Sequence, residues 1–333
     1  MEFLPLLLVI FASVFQGSFG LGMKFMAPLK WEAWWLIHSI FALILIPTTW
    51  AYIVVPDLFN VVTSASSEAI ITAMIFGALW GIGGIMFGKS VPFIGLSLTY
   101  GIVMGVCSAA GGLIPYFTAD NPTQSPAFPY VIGGVVIMLI GVAITAYAGV
   151  LKDKIQGATQ GKINLKAGLT IAILSGLLSA ALAIGFAKGK EIGAIAESAG
   201  AIARNGSLAI WVVVLWGGFV VNAGYSLFLL AKNNTWSSFS TPQASKAYMW
   251  SIGAALLWFG ALGIYGQGAT LMGKIGDVIA WPIMLGLSLI VGNLWAYLNK
   301  EWENAKKPFN IMLLGVLVII IAVIIMSYSK TVG

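Results

Sequence analysis

The chain has 333 residues, of which 59% are hydrophobic and only 8% charged, with a net charge of +6. Soluble domains carry about 25% charged residues, so this chain lacks the polar surface to cover a water-soluble globule and its main solvent is lipid. A lone cysteine, Cys107, and a lone histidine, His38, exclude an intramolecular disulfide and a metal site built from clustered Cys or His, and no cofactor is expected.

A bilayer core takes about 20 mostly apolar residues per helix, and such runs recur down the whole chain. The first, residues 3–23, follows Glu2 with no basic leader region and no small-residue cleavage site before Lys24, so it is expected to be a retained helix with the mature chain starting at or near Met1. It carries Gln16. The second, 33–55, is opened by Trp31 and Glu32 and contains His38. After a connection at 56–67 without Lys or Arg comes the third, 68–88, with Trp80 near its middle, Gly77, Gly81, Gly84 and Gly88 along it, and Lys89 at its end. The fourth, 95–117, holds Tyr100 and Cys107; a turn-rich loop at 118–129 leads to the fifth, 130–151. A lysine-bearing linker at 152–165 precedes the sixth span, 166–187, and a loop at 188–206 precedes the seventh, 207–230, with Asn222. The eighth, 247–269, carries Trp258, Tyr265 and Gln267; the ninth, 277–298, carries Asp277, Trp281 and Asn293; the tenth is 309–329. A β-barrel would need alternating apolar and polar residues, whereas Ile311 to Met326 is apolar on every side. Ten transmembrane helices are therefore expected, with no room between them for a catalytic domain.

The cations set an orientation. Lys188, Lys190, Arg204, Lys274 and Lys330 fall on the side of the two termini, and the other 12 of the 17 Lys and Arg fall on the opposite side, Lys152, Lys154, Lys162 and Lys166 most densely. The positive-inside rule places that second side in the cytoplasm and both termini outside it. Basic charge is thereby explained without nucleic acid.

The chain also resembles itself. Trp80, Gly88 and Gly95 are spaced as Trp258, Gly266 and Gly273 are, with Phe87 and Tyr265 before the central glycines. The match extends to Tyr100–Gly105 against Trp281–Gly286 and to Pro129–Ile132 against Pro308–Ile311. Spans three to five map onto eight to ten, so residues 1–151 and 166–333 read as two five-helix halves separated by the linker. Five is odd, so the second half is inverted relative to the first. Such halves can rock about a central site and expose it to each side in turn.

The strings Leu79-Trp-Gly-Ile-Gly83 with Gly88, Trp31-Glu32 after Lys30, Asp277-Val-Ile-Ala-Trp281 and Lys300-Glu-Trp302 resemble the L-rhamnose-proton symporter family of the drug/metabolite transporter superfamily. The resemblance covers essentially the whole chain. It implies the drug/metabolite transporter fold, location in the inner (plasma) membrane and proton-driven uptake of L-rhamnose or a related monosaccharide. The chain departs from the family pattern at Gly84, where the family has Asn, and Lys89 and His38 have no counterpart in it.

A neutral sugar offers hydroxyls and a flat C–H face, which call for neutral hydrogen-bonding side chains and an aromatic plate. Trp80 and Trp258 occupy equivalent mid-span positions, Tyr100 and Trp281 are equivalent in the repeat, and Tyr265 and Gln267 flank Gly266; all six are candidate sugar contacts or, alternatively, packing residues. Gln16 and Asn222 are amides deep in apolar sequence that must meet either the cavity or a neighbouring helix. Proton coupling needs a titratable group, and of the 11 acids only Glu32 and Asp277 stand at span mouths within family-like sequence. Asp277 leads; a helix cap is its alternative role, and pairing with Lys24 or Lys30 is that of Glu32. His38, the sole histidine, titrates in the useful range and stands as an outside candidate, a helix–helix hydrogen bond being its commoner role. No hydrolase elbow, His-Glu-x-x-His motif or second intramembrane Asp is present, which argues against an enzyme. An exporter or exchanger of metabolites would use the same architecture.

Overall fold

A computed structural model describes residues 3–118, 122–157 and 164–332; Lys162 and the tip of the 118–129 loop lie outside them. The described residues form α-helices: α1 (Leu4–Ser18), α2 (Trp31–Ser39), α3 (Ile46–Val54), α4 (Leu58–Ser64), α5 (Ser67–Ile94), α6 (Leu96–Phe117), α7 (Phe128–Ile155), α8 (Leu165–Lys188), α9 (Lys190–Ser198), α10 (Ala203–Asn233), α11 (Ala244–Met272), α12 (Gly276–Leu298) and α13 (Lys306–Val332). Nine stretches among them are long and apolar enough to cross a membrane, and one of these, Ala244–Leu298, is 55 residues long and contains both α11 and α12. The chain is thus an all-α protein with about ten membrane-length helices, as the hydropathy of its sequence requires.

Where loops were expected, the structure departs in three places. The segment 89–94 is helical: α5 runs on to Ile94, carrying Pro92 in its last turn. Pro92 removes a hydrogen bond to the carbonyl four residues back and crowds it, and that residue is Gly88, around which a side chain would meet nothing. The chain turns at Gly95 alone, with φ +80; Gly273, its counterpart by spacing, turns α11 into α12 with φ +70. Both positions require glycine for the same reason, a backbone conformation that a Cβ disfavours. The segments 56–67 and 188–206 contain the short helices α4 and α9, which pack on each other. From α9 the Glu191 carboxylate accepts bonds from the Ser66 backbone N–H (2.7 Å) and hydroxyl (2.8 Å), while Ser66 Oγ accepts from the Ala69 amide at 3.2 Å. The start of α5 is therefore capped and tied down at once.

The helices form two compact units, and each draws chain from both sides of the 152–165 linker. One takes the chain up to Gly81 and Gly185–Leu271. Its centre is α10, in which every residue from Ser207 to Leu215 is buried, as expected of a helix apolar all round. Around it pack α2, α3, α4 and α9. Where α5 crosses α10 the backbones touch: a Cβ at Gly77 would strike the Val214 carbonyl, one at Gly217 the Met74 carbonyl, and one at Gly218 would lie 3.0 Å from the Trp80 ring. Overpacking costs about 1–3 kcal/mol even where side chains can yield, and here the obstacle is backbone. Gly77→Leu and Gly217→Leu should each lower the unfolding temperature of the purified protein by several degrees or prevent its recovery; Gly84→Ala, in open space, should leave it unchanged.

The other unit takes Ile82–Ile184 and the chain from Met272 onwards. Its main seam is α7 on α13, where small residues recur every seven positions at Gly134, Gly141 and Ala148. A Cβ at Gly141 would lie 2.7 Å from Ile319, and one at Gly315 2.6 Å from Thr145. Small residues let such helices approach without a hydrophobic driving force between them. At the end of α7, Lys152 lies 3.8 Å from Glu301 and 5.2 Å from the centre of the Trp302 ring, and Gln156 donates to the Glu301 carbonyl at 2.7 Å.

Candidate functional site

The first turns of α2 place Trp31, Trp35 and His38 at i, i+4 and i+7, which is one face of a helix. Trp31 stacks on Trp35 with ring centres 5.5 Å apart, Trp35 on His38 at 4.9 Å, and Trp34 lies almost parallel to His38 at 5.4 Å and 7°. From α11, Trp258 presents its ring to His38 at 6.3 Å and 69° and stacks on Trp80 of α5 at 5.2 Å and 29°. A continuous column of aromatic rings thus runs Trp31, Trp35, His38, Trp258, Trp80. A π-helical turn, Ile40–Leu45, follows His38, ahead of Pro47 in the first turn of α3; a proline breaks the preceding backbone ladder and shifts the register of the face.

Asn222 of α10 is joined to this column. Its side-chain oxygen accepts from Trp35 Nε1 at 3.0 Å and its amide donates to the Gly218 carbonyl at 2.9 Å. Gln16 sits on α1 next to Phe15, which packs where a Cβ on Gly260 would stand 2.8 Å from its ring, so Gln16 lies near the level of Trp258. Its Oε1 is buried with no hydrogen-bond partner. The column with Asn222 beside it offers π faces and a neutral polar group, the chemistry that a flat, hydroxyl-bearing and uncharged molecule demands.

The remaining sequence candidates stand elsewhere. Tyr265, two turns along α11 from Trp258, belongs to a second aromatic group, 5.8 Å from Phe186 and 6.2 Å from Trp211, which themselves stack at 4.6 Å. Gln267 is half-buried beside Gly268, where α1 packs through Pro5, Leu8 and Val9. Glu32 is buried, and its carboxylate accepts from Thr235 Oγ1 at 2.6 Å and Asn233 Nδ2 at 3.1 Å, which fastens α2 to the chain leaving α10. In the other unit, Tyr100 is 37% exposed and meets Phe87 edge-to-face at 6.1 Å. Trp281 is buried against Gly111, where a Cβ would touch its ring. Asp277 is half-buried in the first turn of α12, where the helix dipole favours an anion. Asn293 turns back to the Leu289 carbonyl at 2.9 Å. Among the described residues no cluster of three or more His, Cys, Asp or Glu could hold a metal ion.

Sequence reasoning missed Trp34 and Trp35 and kept His38 only as an outside candidate for the proton. The signal was present in the spacing of Trp31, Trp34, Trp35 and His38, but Ala33, Leu36 and Ile37 between them are apolar and the helix announces no polar face.

The family model of the L-rhamnose-proton symport protein (RhaT) matches residues 5–331. The chain is 30% identical over 313 residues to the L-rhamnose-proton symporter of Yersinia pestis (strain Pestoides F), covering 90% of this chain and 91% of that protein. The same figures hold for the L-rhamnose-proton symporter of Yersinia pseudotuberculosis serotype O:1b (strain IP 31758).

Proposed function

Because the chain belongs to the L-rhamnose-proton symport family, we propose that it takes up a small neutral sugar, L-rhamnose or a related monosaccharide, together with a proton. It is a multi-pass membrane transporter and not an enzyme. The observation that carries the sugar's place is the column joining Trp80, Trp258 and His38 with Asn222 beside it. The sugar stacks its C–H face on Trp80 or Trp258 and exchanges hydrogen bonds with Asn222 and Gln16. Tyr100, Tyr265, Gln267 and Trp281 complete the proposed set of contacts. Asp277 and Glu32 handle the proton at the two mouths of the pathway, Asp277 foremost.

Transport proceeds by alternating access between two inverted halves, 1–151 and 166–333, in the drug/metabolite transporter fold. The glycine turns at Gly95 and Gly273, both left-handed and both 15 residues after a mid-helix tryptophan, support that reading. Both termini lie outside the cytoplasm and the lysine-rich connections inside, in the plasma membrane, which sets Asp277 at the outer mouth and Glu32 at the inner. Uptake into proteoliposomes across a panel of labelled sugars, with and without an inward proton gradient, tests the proposal. Accumulation of L-rhamnose or a relative only with the gradient is expected. Sugar flux that ignores the gradient would make the protein a facilitator or exchanger instead.

A further inference from the structure

We propose that His38 takes up the coupling proton at the sugar site, and that an oxygen of the bound sugar accepts the hydrogen bond that its second ring nitrogen acquires on protonation. This rests on the transport reading above and assigns the residue through which sugar and proton become linked.

His38 is 3% exposed and is enclosed by Trp34 and Trp35 of its own helix and Trp258 of α11, with Phe19 at 6.4 Å on a fourth side. The Ser251 backbone hydrogen-bonds its ring. A carbonyl there accepts a bond, which places the ring proton on Nε2 and leaves Nδ1 as a lone pair; Nδ1 is buried with no partner. A neutral imidazole tolerates this, because an unprotonated nitrogen is only an acceptor. A protonated one does not, because Nδ1–H becomes a buried donor that needs an acceptor.

Two features make protonation possible here once that acceptor arrives. The indole faces of Trp34 and Trp35 lie stacked over the ring, and among aromatic side chains tryptophan attracts cations most strongly. A sugar docked on Trp258 and Trp80 brings hydroxyl and ring oxygens to the rim of the same cage, since Trp258 touches both His38 and Trp80. Proton and sugar then bind better together than apart, which a symporter requires, and by linkage each raises the affinity for the other by the same factor.

Among the described residues, the groups facing His38 include no free acid. On α2 the nearest acid, Glu32, is held by Thr235 and Asn233. The turn after α1 presents Phe19, and its Lys24 is exposed; α11 presents Ser251 and Trp258, and its Lys246 is exposed; α10 presents Asn222 and Tyr225 to the neighbouring Trp35 and Trp31. The proton is therefore compensated by π faces and a sugar oxygen, and the empty carrier keeps His38 neutral and returns without it.

His38 is the sole histidine, so histidine-labelled full-length protein in lipid nanodiscs gives a single imidazole signal whose shift follows its protonation. Titrated without and with saturating L-rhamnose, or the sugar of the panel that the wild type accumulates, its midpoint should rise by about one pH unit, and sugar affinity should rise about tenfold as pH falls through it. In proteoliposomes His38→Gln should lose gradient-driven accumulation, and its sugar affinity should be weaker than the wild type's at low pH and no longer change with pH. A midpoint that ignores sugar, or a His38→Gln variant that accumulates sugar as the wild type does, overturns the assignment while leaving the symport reading intact. A wild type that neither binds nor accumulates any sugar overturns both. Should His38→Gln fail to fold, the wild-type titration decides alone.

Discussion

Asp277→Asn should abolish gradient-driven accumulation of sugar, bringing the internal concentration down to the external one, while counterflow and sugar binding persist. The residue stands in the first turn of α12, directly after the left-handed turn at Gly273. There the amides at the helix start stabilise a carboxylate by about 0.3–1 kcal/mol, and the proposed role has that carboxylate carry the proton at the mouth. Asn keeps the shape and the capacity for hydrogen bonds but cannot carry a proton. Separation of coupling from binding is the decisive signature, measured as proton-driven uptake against counterflow in the same vesicles. If accumulation survives, the carboxylate does no more than stabilise the helix end, and a loss of thermal stability in that range should be all that remains. His38 should titrate in Asp277→Asn as in the wild type, because the two groups are assigned different steps.

Trp258→Ala should weaken sugar binding by about 30-fold or more. Truncating a buried aromatic anchor at a binding site commonly costs about 2 kcal/mol or more, and each 1.4 kcal/mol is about tenfold in affinity. Trp258 bears more than its own contact: it stacks on Trp80 and covers one side of His38, so its loss removes the plate and opens the cage together. Trp80→Ala should cost less, since Trp80 lies at the end of the column and leaves the cage whole. Isothermal titration or tryptophan fluorescence with the transported sugar measures both. Unchanged affinity in Trp258→Ala would remove the stacking role and return the ring to helix packing. Trp258→Phe, which keeps an aromatic face, should recover most of the loss.

Much of this molecule is legible along the chain, and the reason is the solvent. Lipid admits only backbone that satisfies its own hydrogen bonds, so each crossing must be a long apolar helix, and each of the ten sequence spans falls largely within one of the long helices seen. The family could also be read from short strings around Trp80, Trp31 and Asp277, which the match over residues 5–331 bears out. Trp80 and Trp258 were singled out by their spacing and do meet, at 5.2 Å. Helix ends were harder to place: α5 runs through Pro92 because Gly88 leaves the ring room, and only the backbone shows that Gly95 carries the turn alone.

Membership in a site was harder still. Sequence determined the type of the elements, about how many are long enough to cross a membrane, and the family. Tertiary structure decided that His38, Trp34 and Trp35 join Trp258 and Trp80, and that Tyr265 instead joins Phe186 and Trp211. The bond from Trp35 to Asn222 spans 187 positions of sequence and that from Thr235 to Glu32 spans 203. A helix apolar on all sides carries no amphipathic pattern to say which face turns inward, so which rings share a column was settled only when the helices packed.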